Sequence, residues 1–156
     1  MTYSNHGDAY SSADVRDILG SVKTIAMVGA SADQAKPSND VLRFLIRAGY
    51  DVIPVNPRPG LTEILGLKVY PSLQSIDRPV DMVEVFRPSP ELAGIAGEAV
   101  TIGARVLWAQ LGIHDDEAAR IAGEGGLAVV MNRCPKIELA SLSRQTNPNL
   151  NREAPP

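Results

Sequence analysis

The chain has 156 residues, an apolar share of 44% and a formal net charge of −3, which describe an ordinary single globular domain. The negative charge argues against the broad basic surface that non-specific nucleic-acid binding needs, and apolar runs as short as 127–131 exclude a membrane span. One cysteine, Cys134, excludes an internal disulfide, and with only His6 and His114 present a structural metal is not expected. Residues 1–10 lack the basic flank and apolar stretch of a secretion signal, so we expect a cytoplasmic protein that binds neither nucleic acid nor membrane.

Along the chain, short runs rich in β-branched residues alternate with segments of helical periodicity, which is typical of βαβ units around a parallel sheet. The polar segments 1–10 and 146–156 are predicted to be flexible and to flank one domain at 11–145. In chain order the predicted elements are a helix over 11–19, a strand over 24–28, a helix over 38–48, a strand over 51–55, a short edge strand over 66–71, a strand over 80–86, a helix over 89–101, a strand over 104–109, a helix over 115–122 and a strand over 127–131. The right-handed crossover rule arranges them as an α/β fold, a Rossmann-like doubly wound three-layer sandwich with a mainly parallel five-stranded sheet.

The ligand crevice of an open parallel sheet lies beyond the carboxyl ends of the strands, near the point where the strand order reverses. Three of the five predicted core-strand ends carry an arginine, at Arg58, Arg87 and Arg133, so we expect this edge to bind an anion. The residues predicted to contact the ligand are Gly29, Ala30, Ser31, Lys36, Pro37, Ser38, Asn56, Pro57, Arg58, Phe86, Arg87, Pro88, Gln110, Asn132, Arg133 and Cys134.

The first strand ends in a loop that resembles the dinucleotide-binding fingerprint without satisfying it. Of the three glycines in G-x-G-x-x-G only Gly29 is present, and the loop continues to Pro37 before the next helix begins. Backbone amides, the hydroxyls of Ser31 and Ser38 and the charge of Lys36 would suit a phosphate at the positive end of that helix. The alternative is an ordinary strand-to-helix turn, because a glycine is common there without any ligand.

The end of the second strand discriminates between nucleotide cofactors. NAD-binding units usually place Asp or Glu here to hold the ribose hydroxyls, whereas this chain has Asn56, Pro57 and Arg58, which disfavours NAD. The planar fork of Arg58 suits a phosphate on the ribose, which coenzyme A carries at its 3′ position and NADP at its 2′ position. A solvated arginine in a proline-rich turn is the alternative.

Two further positions allow a structural and a functional interpretation. Phe86, followed by an arginine and two prolines, would suit an adenine or a pantetheine arm, but an aromatic packed into the core is favoured. His114 next to Asp115 and Asp116 would suggest acid–base catalysis, but adjacent side chains at a helix start rarely face one another. Asp115 is therefore expected to cap the helix.

Cys134 follows the last predicted strand and is flanked by Arg133 and Lys136. Neighbouring cations favour a thiolate, which would be able to form a mixed disulfide with the thiol of coenzyme A. A small buried core side chain is the favoured interpretation.

Several segments together resemble the stand-alone CoA-binding protein family, which is similar to the N-terminal domain of the succinyl-CoA synthetase α subunit. The likeness extends over about 15–142 and is specific only when the motifs are taken together. These motifs are IAMVGAS (25–31), KPS (36–38), GYDVIPVNP (49–57), GLKVYPSL (66–73), VDMVEVFR (80–87), WAQLGI (108–113) and MNRCPKIE (131–138).

The resemblance implies a CoA-binding Rossmann fold in which Gly29 to Ser31, Lys36 to Ser38, Asn56 to Arg58 and Phe86 to Pro88 line the cofactor. The synthetases complete their chemistry with a phosphorylated histidine and further domains. His114 does not correspond in position to that histidine. We therefore expect binding of coenzyme A or an acyl-CoA without catalysis by this chain alone.

Two alternatives stay open, an NADP-linked oxidoreductase and a thiol-redox protein that acts through Cys134. A homodimer is also left open, because exposed apolar surface on a domain of this size often covers a dimer interface.

Overall fold

The protein is described by a computed structural model that covers residues 12–146. The helices are α1 (Ser12–Ser21), α2 (Pro37–Arg47), α3 (Leu92–Thr101), α4 (Asp116–Glu124) and α5 (Pro135–Thr146), and a 3₁₀ turn at Ser89–Glu91 precedes α3. The strands are β1 (Thr24–Val28), β2 (Asp51–Val55), β3 (Glu63–Ile64), β4 (Leu67–Lys68), β5 (Met82–Val85), β6 (Val106–Ala109) and β7 (Ala128–Val130). The predicted flexible segments, 1–10 and 146–156, lie outside the described residues apart from Thr146, the last residue of α5.

Five strands form one parallel sheet in the order β2-β1-β5-β6-β7. The register places Ala26 of β1 opposite Ile53 of β2 on one side and Val83 of β5 on the other. From β1 the chain first adds β2 on one side and then returns to add β5 on the opposite side. The strand order therefore reverses between β1 and β5, and this switch point is where open parallel sheets bind ligands.

The helices cover both faces of the sheet, which confirms the predicted three-layer sandwich. One apolar cluster packs α3 and α4 against one face, and a second packs α1, α2 and α5 against the other. Every residue of β5 is buried because this central strand is covered on both sides. Side chains alternate along a strand, so Val83 and Val85 face α3 and α4, whereas Met82 and Glu84 face the α1, α2 and α5 layer.

Helix α5 was not predicted from the sequence, where no element follows the last strand. Pro135 is well placed at its first position, because proline fits the first turn of a helix without losing a hydrogen bond. The apolar stripe of α5 is sparse, and its Leu139 and Leu142 pack into the cluster formed with α1 and α2. The helix is therefore stabilised mainly by its tertiary contacts, and the local sequence pattern does not predict it.

The predicted edge strand over 66–71 is wrong as a member of the main sheet. Leu67–Lys68 instead pairs antiparallel with Glu63–Ile64 in a separate hairpin, and only Tyr70 forms a bridge to Val55 of β2. Tyr70 donates its amide to Pro54 O (3.0 Å) and accepts from Asn56 N (3.0 Å). Because Pro71 cannot continue this pairing, the chain turns away, and Pro71 to Leu73 lie at the carboxyl end of β2.

The predicted strands over 24–28 and 51–55 are confirmed with the same ends. The remaining predicted elements are confirmed with shifted ends, and the predicted helix over 89–101 begins with the 3₁₀ turn. Among residues 12–146, no helix combines the length and the apolar character that crossing a membrane requires. Four large apolar side chains are exposed in the part of the chain that the structure describes, and a homodimer stays a prediction. They are Ile46, Leu65, Leu111 and Ile137.

Candidate functional site

Two cavities open at the switch point between β1 and β5. The smaller cavity, of about 340 Å³, is lined by Gly29, Ala30, Ser31, Lys36, Pro37, Ser38, Asn56, Phe86 and Arg87. The larger cavity, of about 570 Å³, is lined by Val28, Gly29, Val55, Asn56, Pro57, Arg58, Pro59, Pro71, Ser72, Leu73, Arg87, Glu91 and Glu98. Both walls include Gly29, Asn56 and Arg87, so the two cavities are neighbours across the ends of β1, β2 and β5.

Gly29 occupies the point where these three strand ends approach most closely. Its φ of +89° lies in the left-handed region, and a Cβ built there would lie 2.5 Å from the carbonyl oxygen of Phe86 and 3.1 Å from Cδ of Arg87. Its amide donates to Val55 O (3.0 Å). Only glycine meets both demands, because any side chain would be strained in this conformation and would collide with the backbone of the next strand.

The loop from Gly29 to α2 is held in a definite shape by its own polar groups. Asp33 N donates to Ser31 Oγ (3.1 Å), and Asn39 Nδ2 donates to Ser31 O (2.8 Å). Asn39 is buried in the first turn of α2, and its Oδ1 has no hydrogen-bond partner within residues 12–146. The loop and the start of α2 are thereby fixed as one unit. Asn39 is not among the residues predicted to contact the ligand, because it lies inside α2, after the Lys-Pro-Ser segment that the sequence pattern indicates.

Asn56 connects the loops that follow β1 and β2. Its Nδ2 donates to Ala30 O (2.8 Å), and its Oδ1 accepts from Arg58 N (2.9 Å). The side chain is half-buried and lines both cavities. It uses one donor and one acceptor to set the positions of both loops, so Asn56 is a positioning residue for whatever the cavities hold.

The charges differ between the two cavities. The smaller cavity has Lys36, Arg87 and the amino end of α2 in its wall and no acidic residue, whereas the larger cavity includes Glu91 and Glu98 beside Arg58 and Arg87. Arg87 pairs with Glu91, while the side chains of Lys36, Arg58 and Glu98 have no partner within the described part of the chain. The smaller cavity is therefore suited to an anion.

A family model described as CoA binding domain matches residues 23–140. The chain belongs to the CoA binding domain family. A relative in Bacillus subtilis strain 168, the uncharacterized protein YneT, is 42% identical over 127 residues, which are 81% of this chain and 93% of YneT. The solved structure of a hypothetical protein from Pyrococcus horikoshii OT3 superimposes with a TM-score of 0.83 and 36% identity, covering 92% of this chain and 99% of that one.

The resemblance to enzymes covers only a part of each enzyme. The alpha subunit of ADP-forming acetate–CoA ligase I from Pyrococcus furiosus is 33% identical over 95 residues, which are 58% of this chain but 21% of that subunit. The family model confirms the predicted family, and the match to the ligase leaves about four fifths of that subunit uncovered.

Five of the predicted site residues lie in neither cavity wall of this CoA-binding domain. They are Pro88, Gln110, Asn132, Arg133 and Cys134. Asn132 Oδ1 accepts from Gly112 N (2.7 Å), and Arg133 Nη1 donates to Glu138 Oε1 (2.9 Å), so both side chains stabilise the ends of β6 and β7. The three arginines of the predicted anion-binding edge do not converge, because Arg58 and Arg87 lie at the cavities and Arg133 is paired elsewhere.

Cys134 is buried, with 6% of its surface exposed, and packs in the cluster with α1 and α2. Trp108 beside it in that cluster donates its indole N–H to Arg133 O (2.8 Å), which closes this end of the sheet. The favoured interpretation of Cys134 as a small core side chain agrees with this position.

The structural and functional interpretations of Phe86 and Asp115 can now be compared with the structure. Phe86 is half-buried, packing against the core on one side and lining the smaller cavity on the other, so the core interpretation is correct only for part of the ring. Asp115 Oδ2 accepts from Ala118 N (2.9 Å) at the start of α4, which confirms the predicted cap.

Some residues that line the larger cavity do not follow a strand of the main sheet directly, and they were not among the predicted site residues. Pro71 to Leu73 arrive through the bridge between Tyr70 and Val55, and the two glutamates come from the 3₁₀ turn and α3. The segment Arg-Pro-Ser-Pro-Glu (87–91) could have indicated an ion pair between Arg87 and Glu91. A carboxylate four residues after an arginine lies within its reach when the chain between them makes a helical turn.

Glu84 is a buried acid beneath this edge of the sheet. It lies opposite Met27 of β1 and Trp108 of β6, and neither carboxyl oxygen has a partner within residues 12–146. Burial raises the pKa of Glu84 well above its ordinary value of 4.5 and so favours the neutral form. Two residues farther along the same face, Phe86 reaches the wall of the smaller cavity.

Proposed function

We propose that the chain binds coenzyme A, or an acyl derivative of it, as a binding module that does no chemistry by itself. The observation that carries the proposal is the pair of neighbouring cavities at the switch point of a chain that belongs to the CoA binding domain family. A carrier, a sensor and a partner subunit are roles compatible with such a module.

The smaller cavity suits the diphosphate of the ligand. The amino end of α2, the Lys36 ammonium and the hydroxyls of Ser31 and Ser38 lie in a wall that contains no carboxylate. Helix amino termini and lysines bind phosphate because both present N–H donors and positive charge. Gly29 lines the same wall, and the absence of a side chain there lets the ends of β1 and β5 lie close together beneath the cavity.

The larger cavity suits the adenosine and its 3′-phosphate. Val28, Val55 and Leu73 supply apolar surface for the base, and the volume of about 570 Å³ lies within the usual range of small-molecule sites. Arg58 is exposed at this wall with no ion-pair partner within the described residues, so its guanidinium is available for the 3′-phosphate.

The likeness to acetate–CoA ligase supports the cofactor and not the ligase reaction, since the chain spans 21% of that subunit. The acyl group is not part of the proposal. If the ligand is an acyl-CoA, its thioester lies at the far end of the molecule from the nucleotide. The residues named above bind only the nucleotide end.

The test compares two ligands and three proteins by isothermal titration calorimetry. The ligands are coenzyme A and dephospho-CoA, which lacks only the 3′-phosphate. The proteins are the wild type, Arg58→Gln and a control, Arg47→Gln, which removes an exposed arginine from the last turn of α2. We expect Arg58→Gln to bind coenzyme A about tenfold more weakly, because one charge-assisted contact is lost, and to bind dephospho-CoA as the wild type does.

Absence of coenzyme A binding to the wild type would contradict the proposed function. Equal losses for both ligands would contradict the role of Arg58 alone. Native mass spectrometry of the freshly purified protein, with and without reductant, identifies any ligand that travels with it, and an NADP increment would support the oxidoreductase alternative instead.

A further inference from the structure

Arg87 lies between the two cavities and belongs to both walls. It follows the central strand β5 directly, and its Cδ lies where a side chain at residue 29 would have to go. The stem of Arg87 is therefore packed over the glycine, between the two cavities that the residue lines. Its position makes it the one cation common to both sites within residues 12–146.

In the structure the guanidinium turns toward the larger cavity and is bound by Glu91. Nε donates to Oε1 (3.2 Å), and Nη2 donates to both Oε1 (3.1 Å) and Oε2 (2.8 Å). Both side chains are 46% exposed, so the pair is an i,i+4 contact screened by solvent and of small energy. A weak pair of this kind can be exchanged for a stronger one, because a phosphate also binds the fork of an arginine.

The acid that holds Arg87 lies only in the larger cavity. Glu91 is the last residue of the 3₁₀ turn and Glu98 lies in α3. Both line the larger cavity, whereas no carboxylate lines the smaller one. A phosphate in the smaller cavity and the Glu91 carboxylate would therefore compete for the same guanidinium from opposite sides.

We propose that Glu91 is an internal competitor of the ligand, which holds Arg87 away from the smaller cavity until a phosphate there displaces the carboxylate. This inference rests on the proposed function, since it requires the phosphates of coenzyme A in the smaller cavity. Glu91 thereby lowers the affinity for the ligand and makes Arg87 exchange its partner on binding.

The experiment measures the dissociation constant for coenzyme A by calorimetry in a double-mutant cycle. Glu91→Gln should bind about two- to fivefold more tightly than the wild type, which is the range expected when an exposed ion pair no longer has to be broken. The gain should vanish when Arg87→Gln is also present, because Glu91 then has no guanidinium to hold. Glu98→Gln is the matched control, since it removes the same charge from the same cavity without touching Arg87.

No gain in Glu91→Gln would overturn the proposal, as would a gain that persists with Arg87→Gln or is matched by Glu98→Gln, either of which shows a general charge effect. Wild-type protein that does not bind coenzyme A would overturn the proposed function and this inference together. Thermal melting checks that each variant folds, and Glu91→Ala replaces the glutamine variant if that variant has no transition.

Discussion

The carboxyl ends of β1, β2 and β5 and those of β6 and β7 lie on the same edge of one sheet, but only the first group forms the walls of the two cavities. At the first group, α2 leaves β1 toward one face and α3 leaves β5 toward the other, so the chain parts and a crevice remains. From β5 and β6 the chain continues into α3 and α4 on the same face, and the crevice does not recur.

The second group is closed by its own polar contacts. Asn132 binds the Gly112 amide, Arg133 pairs with Glu138, and Trp108 donates to the Arg133 carbonyl. These three residues have the residue types of a binding site, but they make these contacts within the protein. Gln110, buried directly after β6, has an Oε1 atom with no partner within residues 12–146. In this sheet, polar residues at strand ends line a cavity at the neighbouring strands β1 and β5, whose following helices pack on opposite faces. Gln110 after β6, whose following helix packs on the same face as that of β5, lines neither of the two cavities.

Replacing Gly29 should have the largest effect. Gly29→Ala combines an unfavourable positive φ with a Cβ 2.5 Å from a backbone oxygen, whereas Gly49→Ala has a positive φ of +98° and no atom within 4 Å. We expect Gly49→Ala to cost about 1–2 kcal/mol of unfolding free energy, and Gly29→Ala roughly 1–3 kcal/mol more because the strands must separate. Urea unfolding of the two variants measures this difference. Equal losses would show that the close approach of β1 to β5 does not matter.

Glu84 tests strand β5, which belongs to the first group and pairs with β6 of the second. The folded protein holds the Glu84 proton to a higher pH than the unfolded chain does, because burial raises its pKa. The stability of the wild type relative to Glu84→Gln is therefore highest below about pH 4.5 and falls as the pH rises toward the folded pKa. Urea unfolding of both proteins at several pH values should give curves that diverge in this sense. Parallel pH profiles would show that Glu84 is not held in its neutral form.

We expect the smallest change in stability from replacing Asn56 or Asn132, each of which connects two loops. The two replacements should differ in their effect on coenzyme A binding. Asn56→Ala removes the contacts to Ala30 and Arg58, and Asn132→Gly removes the contact to Gly112 while accommodating the positive φ of 59°. Asn132→Gly should cost about 1 kcal/mol of stability and Asn56→Ala roughly 1–2 kcal/mol, because a hydrogen bond typically contributes about 1 kcal/mol and Asn56 makes two. Only Asn56→Ala should also weaken coenzyme A binding, by about tenfold, in calorimetry. A comparable loss of affinity in Asn132→Gly would extend the binding site to β6 and β7.

Sequence patterns sufficed for the fold class and for the part of the site that follows β1 and β2. The alternation of strands and helices is local. Gly29 and Asn56 stand directly after strands, Arg58 follows two residues later, and Lys36 directly precedes α2, so their place at the sheet edge follows from the topology. Helix α5 was missed because its apolar stripe is sparse and its stability comes from α1 and α2.

The sequence by itself determined which residues reach the carboxyl edge of the sheet, because in a parallel sheet every strand ends at the same side. The tertiary structure decided which of them meet. It placed Glu91 and Glu98 in the same cavity wall as Arg58, and it brought Pro71 to Leu73 to that wall. It also paired Arg133 with Glu138. These contacts depend on how far helices and loops diverge in space, and distance in space is not encoded in the spacing of residues along the chain.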